Sequence, residues 1–311
     1  MELEQIKELL QYDVMESKIF IPNEIFDDLK GANIKNNPHL TFSYSYIYFA
    51  TWIYRYAKHL NCTEGFIDNE KMKEILRYNP TNKDLVYLIK KNGLLEQLGY
   101  TKTVKDFPTS WTYDEIEGIE FDMYSEHKED LRHLNLSRKF SVKLPVKAFH
   151  RYEPDELDGT FYEVANTHCI PFEVFMYCMA KNEIGSTGFY LYSYIKRMND
   201  MYPKGWDVAL HKMSKETAIP ESTLDEYIGV LRKYRMINVQ HNQELFSLAM
   251  RIEDRKANTY KANKFDQFSI TPQPYEKIKV LKTSEYKKVK GEENIQIWGK
   301  KADITLDELP F

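Results

Sequence analysis

Apolar positions recur along the chain in short blocks with helical spacing, separated by turn residues. Leu3, Ile6, Leu9 and Leu10 share one face of a helix expected over residues 2–13, and Ile19-Phe20-Ile21 then reads as an extended stretch, where Pro22 either ends a strand or opens a helix. Gly31, Asn33, Asn36, Asn37 and Pro38 cluster as breakers before an aromatic helix over residues 42–59. Asp68 is a candidate N-cap for a second helix with Met72, Ile75 and Leu76 inward. Asn79-Pro80-Thr81 turns the chain into a third helix, expected from Asn82 to a C-cap at Gly93, with Leu85, Leu88 and Ile89 inward. The runs 94–103 and 107–113 alternate enough to predict a hairpin, with Lys102, Lys105 and Asp106 near its tip.

The same order then returns. Ile21-Pro22-Asn23-Glu24-Ile25-Phe26 is echoed by Ile170-Pro171-Phe172-Glu173-Val174-Phe175, and Tyr44-Ser45-Tyr46-Ile47 recurs identically as Tyr192-Ser193-Tyr194-Ile195. The second copy predicts helices over 171–181 and 190–201, a strand over 206–210 and a short helix over 213–218. A third helix then runs to about residue 235 with Leu224, Tyr227, Ile228 and Leu231 inward, and wing strands follow over 236–240 and 260–264. The expected fold is mainly α with small β-wings: two domains related by internal duplication, over residues 1–113 and 164–270. Residues 114–163, acid-rich between Asp114 and Asp130, read as a solvated connector, and 271–311 as a flexible basic tail with an acidic tip.

Composition narrows the function. A chain of 311 residues can hold two such cores, and a net charge of -4 means that any nucleic-acid surface is a local patch. Cys62, Cys169 and Cys178 show no metal-ligand or disulfide spacing, so neither a zinc site nor a disulfide frame is expected. No apolar run is long enough to span a bilayer, and the acidic stretch from Glu2 to Glu8 does not read as a signal peptide. A reduced, cytoplasmic protein away from membranes is the expectation. With no glycine-rich nucleotide loop, no His-x-x-x-His pair and no activated nucleophile, neither an enzyme nor a cofactor is expected, and the adjacent pair His168-Cys169 reads as core. Tyr44, Tyr46, Tyr48 and Trp52 read as core and interface rather than as base-stacking platforms, which leaves a homodimer open.

The order strand, helix, helix, turn, helix, wing over residues 206–264 resembles a winged-helix domain, with Ile219-Pro220-Glu221-Ser222-Thr223-Leu224 entering the third helix. Arg255-Lys256-Ala257-Asn258-Thr259-Tyr260-Lys261 is similar to the wing strand of such domains in phage and plasmid proteins of Gram-positive bacteria, and residues 18–113 more loosely resemble the N-terminal winged helix of plasmid replication initiators. The resemblance implies a third helix in the major groove and wing residues on phosphates or in the minor groove. In copy one that selects Thr81, Asn82, Lys83, Tyr87, Lys90 and Lys91, with Lys102 and Lys105 on the wing. In copy two it selects Ser222 and Thr223, with Arg251, Arg255, Lys256, Asn258, Lys261 and Lys264 on the wing. Glu221, Asp225 and Glu226 depart from the pattern, because they set negative charge where phosphate would come, so the wing and tail are expected to dominate there.

The tail carries Lys277, Lys279, Lys282, Lys287, Lys288, Lys290, Lys300 and Lys301, then reverses sign. Its last residues, Asp307-Glu308-Leu309-Pro310-Phe311, resemble the acidic C-terminal tip of bacterial single-stranded-DNA-binding proteins. That resemblance implies docking of host replication proteins. The combined expectation is a sequence-specific double-stranded-DNA-binding protein of plasmid or phage replication initiation. A transcriptional regulator of a mobile element and a protein-interaction scaffold are the alternatives.

Overall fold

The computed structural model describes residues 1–60, 65–114, 118–134, 136–138 and 140–291. Copy one opens with α1 (Leu3–Leu9), β1 (Lys18–Pro22), α2 (Ile25–Gly31) and the long α3 (Asn37–Arg55). It continues through α4 (Asn69–Ile75), α5 (Val86–Ile89), α6 (Leu94–Gln97) and β2 (Thr101–Val104). A middle segment adds β3 (Pro108–Asp114), β4 (Gly118–Met123), β5 (Val142–Pro145) and α7 (Val146–Phe149). Copy two comprises β6 (Thr167–Pro171), α8 (Phe172–Ala180), α9 (Gly185–Met201), β7 (Trp206–Val208), α10 (Leu210–Thr217), α11 (Glu221–Lys233), β8 (Ile237–Gln240), β9 (Leu245–Phe246) and β10 (Asn258–Ala262), and β11 (Lys279–Val280) follows.

The expected fold class is corrected: the chain is mixed α/β, 43% helical and 17% strand in several small sheets, rather than mainly α with small wings. Two kinds of pairing account for the extra strands. The first joins the copies: β1 runs antiparallel to β6, with Ile19 opposite Ile170, Phe20 opposite Cys169 and Ile21 opposite His168. The second draws in the acid-rich middle segment. β4 pairs with β3, and β5 pairs with β2, so the predicted hairpin between 94–103 and 107–113 does not form. The buried Arg151 ties this segment to copy one through Glu24 (Nη2 to Oε2, 3.0 Å) and donates to Ala165 O at 2.6 Å.

α3 is the axis of the core. Asn36 caps it by accepting from His39 N at 3.0 Å, and every residue from His39 to Tyr54 is buried. Its serine hydroxyls are satisfied within the helix, Ser43 donating to His39 O and Ser45 to Thr41 O, which is how these polar residues can lie buried on it. α9 packs against it. Trp52 stacks on Phe172 with centroids 3.7 Å apart and planes at 2°, while Tyr48 and Tyr44 both meet Phe189. The four aromatics read as core are all buried, and one hydrophobic cluster runs through both copies. The exchange continues outward: α10 of copy two packs on α2 of copy one, and Arg77, just after α4, donates to Ala180 O at the end of α8 at 2.7 Å.

Candidate nucleic-acid interface

In copy one the third helix is broken. Asn79 Oδ1 accepts from Thr81 N and Oγ1, and Asn82 Oδ1 accepts from Asp84 N, so short polar side chains hold turns where a helix was expected to start. Lys73 Nζ donates to Pro80 O at 2.7 Å and fixes the same turn. Only Val86–Ile89 is helical before Asn92 turns left-handed, with φ 58. Gly93, expected as a C-cap, instead starts α6; a Cβ there would meet Lys90 O at 2.7 Å and Leu88 O at 2.8 Å, so only glycine fits. Thr81, Lys83, Lys90 and Lys91 are exposed on this irregular stretch, with Asn82 half-buried. Tyr87 is engaged in structure: its hydroxyl accepts from Lys35 N at 3.1 Å and bonds His39 Nδ1 at 3.2 Å. Lys102 is exposed on β2, while Lys105 reaches Arg138 O at 3.4 Å.

Copy two forms the more complete surface. α10 ends at Thr217, Ala218 adopts a left-handed turn with φ 57, and Pro220 leads into α11. β10 lies between β7 and β8 in a three-stranded sheet. Ser222 is exposed at the start of α11 and Thr223 half-buried, in the company of exposed Glu221, Asp225 and Glu226. Between β8 and β10 the loop 241–257 is closed at its base, where Gln243 Oε1 accepts from Lys256 N at 2.8 Å and Asn242 Nδ2 donates to Ala257 O at 2.8 Å. Arg251, Lys256, Lys261 and Lys264 are exposed. Asn258 serves the fold through His241 Nδ1 at 3.1 Å. Arg255 is exposed and at the same time bonded to the loop: Nη2 donates to Leu248 O and Met250 O, both at 3.0 Å, and the guanidinium sits 5.5 Å from the Phe246 ring.

The residues after the sheet, expected from 271 onward as a flexible basic tail, instead return across α11 as a strap. Ser269 N donates to Tyr234 O, Gln273 N to Lys233 O, and Arg232 Nη2 to Glu276 O. Arg232 lies 4.2 Å from the Tyr275 ring centroid, and burial lowers its guanidinium from the ordinary value. Tyr275 covers Gly229, where a Cβ would meet its hydroxyl at 3.0 Å. β11 then pairs in parallel with β9, Lys279 opposite Leu245 and Val280 opposite Phe246. A cavity of about 610 Å³ under the strap is lined by Arg255 and Lys256 from the loop and by Tyr275 and Lys277 from the strap. Lys277, Lys279 and Lys282 are exposed beside that loop, and Lys287, Lys288 and Lys290 follow in the helical stretch 283–291. The expected docking residues Asp307, Glu308, Leu309, Pro310 and Phe311 lie outside the described residues.

Asp122, Glu126 and His127 bring ligand atoms within 4.8 Å of one another, all exposed, but Glu126 already accepts from Met123 N at 2.9 Å and Asp122 from Ser110 Oγ. Among the described residues no helix is long and apolar enough to cross a membrane. No known protein family, no curated protein and no solved structure matches the chain.

Proposed function

We propose that the chain binds double-stranded DNA through the edge formed by loop 241–257 and the strap. One observation carries this reading: the β9–β11 pairing brings the stretch that bears Lys277, Lys279 and Lys282 alongside the loop that bears Arg251 and Lys256, and Lys256 and Lys277 line one cavity. If all five meet phosphates, the logarithm of affinity falls with the logarithm of salt at a slope of about -4 to -5. α11 itself is a poor groove reader. A helix with its side chains is roughly 10–12 Å across and the major groove about 12 Å wide, so a helix thickened by Tyr275 at its middle does not fit, and its free end is acidic.

Sequence resemblance, rather than geometry, supports a role in plasmid or phage replication initiation. Selection of bound duplexes from random DNA tests the proposal. A shared motif found near an origin supports initiation, a promoter motif supports a transcriptional regulator, and recovery of no enriched sequence overturns sequence-specific binding. The exposed acids Glu221, Asp225 and Glu226 favour a second reading, in which α11 docks a basic protein surface while the loop holds DNA.

A further inference from the structure

The tip of loop 241–257 projects two branched aliphatic side chains into solvent, Leu248 at 79% and Ile252 at 81% exposure. Single exposed apolar residues are ordinary, but these two stand on a frame that the chain builds around them. Arg255 donates to the carbonyls of Leu248 and Met250, Arg255 N donates to Ile252 O at 3.2 Å, Met250 N donates to Ser247 O at 3.1 Å, and Ser247 is fully buried. The guanidinium thus uses Nε and Nη2 to hold the tip, although Glu253 and Asp254 are its chain neighbours. Below the tip, β9 is pinned by β11 and Leu281 N donates to Phe246 O at 2.8 Å. The backbone of the tip therefore cannot rearrange without giving up these bonds.

We propose that Leu248 and Ile252 are a wedge that enters the minor groove of duplex DNA and partly unstacks a base step, so that binding bends the duplex. This rests on the DNA-binding reading above and names the contact within it. Minor-groove proteins combine cations along the groove with apolar side chains driven between base pairs, and burial of those side chains offsets the unstacking. The cations here are Arg251 and Lys256 next to the tip and Lys277, Lys279 and Lys282 on the strap. The tip also carries Glu253 and Asp254, both exposed, so attraction to phosphate comes mainly from the strap, and the tip contributes shape and apolar surface. A membrane surface fits less well, because two side chains make no amphipathic face.

The test uses the full chain and a mixed-sequence duplex of about 30 base pairs, short enough that a smooth bend is unfavourable, with a fluorophore at each end. Wild type is expected to raise energy transfer between the ends on binding. The Leu248→Ala/Ile252→Ala protein is expected to bind within about tenfold of wild type yet leave energy transfer at the free-duplex value. Leu248→Met/Ile252→Met is expected to restore it. Equal bending by the alanine protein overturns the wedge while leaving DNA binding intact. No duplex binding by wild type at low salt overturns the underlying reading and the wedge together. Binding of wild type to phosphatidylserine-containing vesicles that the alanine protein loses, with no bend in DNA, overturns the wedge in favour of a membrane surface.

Discussion

Phe20 lies opposite Cys169 across the β1–β6 ladder, and the two are counterparts in the repeat, since 169 - 20 = 149 is also the spacing of Ile21 and Ile170. Their neighbours exchange under the same shift: Ile19 faces Ile170, and Ile21 faces His168. A local two-fold axis therefore passes between Phe20 and Cys169. The two repeated segments thus lie in one body joined by a shared two-stranded sheet and a shared aromatic core, and the halves are expected to unfold together.

Trp52 is the severest single test of that shared core. It is fully buried, stacks on Phe172 from the other copy and donates from Nε1 to Glu16 O at 2.9 Å. Trp52→Ala should cost about 3–5 kcal/mol. Urea denaturation followed by fluorescence and by circular dichroism should give one coincident transition for wild type; two separated transitions would show that the halves hold their cores independently.

The pH dependence follows from two buried histidines. His168 bonds Tyr44 Oη through Nε2 at 2.8 Å and Asn23 Oδ1 through Nδ1 at 3.0 Å, and burial, aided by the nearby Arg197 and Lys196, pulls it down to about 3. Burial likewise takes His59 down to about 4, against a hydrogen bond with Ile67 O. A folded value below the unfolded one means that the unfolded chain binds more protons, so this stability is complete above about pH 6.5 and is lost as the pH falls toward those values. Each histidine should remove on the order of 2 kcal/mol between pH 6.5 and 5. Urea midpoints at pH 7 and pH 5 measure this, and His168→Gln should shrink the difference; an unchanged difference would remove His168 from the account.

Lys143 and Glu96 form a buried pair at 2.7 Å in the β2–β5 region, with Thr103 Oγ1 receiving a further bond from Lys143 at 2.7 Å. Burial opposes the charge on Glu96, but bonds from Lys143, Thr103 and Asn92 N hold it down to about 2. Lys143→Met should cost about 3–5 kcal/mol by stranding that carboxylate, and adding Glu96→Gln should recover much of the loss. A double-mutant cycle in urea with no coupling between the two positions would reject the pair as a stabilising element.

Arg255 and Lys256 are neighbours with different predicted behaviour. Lys256→Ala should lower the salt slope of duplex binding by about 0.9, the loss of one phosphate contact. Arg255→Ala should weaken binding while speeding protease cleavage in the loop, because the carbonyls of Leu248 and Met250 lose their donors. Arg255→Lys should not rescue the loop, since one ammonium cannot reproduce the planar fork. Equal cleavage of wild type and Arg255→Ala would show that Arg255 does not clamp the loop.

The repeat was legible because framework residues such as Tyr44-Ser45-Tyr46-Ile47 and its copy carry local helical periodicity, and Asp68 announced its helix with a cap that the structure contains. What remained hidden depends on partners distant in sequence. Nothing near Ile19 or Ile170 shows that they pair, and nothing near Gly229 shows that Tyr275 covers it. The acidity between Asp114 and Asp130 concealed β4, whose Ile119 is buried while its acids point outward. The break in the third helix of copy one is written locally, because Asn82 and Asn92, inside the expected helix, favour turns over a helix interior. The wing resemblance and its charge mark Arg255 as a phosphate contact, and only its hydrogen bonds reveal the clamp.

Salt-dependent binding of a duplex by wild type and by Lys277→Ala/Lys279→Ala/Lys282→Ala tests the central claim most directly. Phosphate contact by all five cations predicts a wild-type slope of about -4 to -5 and a variant slope shallower by roughly 2.7. An unchanged slope in the triple variant, or no duplex binding by wild type at about 50 mM salt, would contradict it.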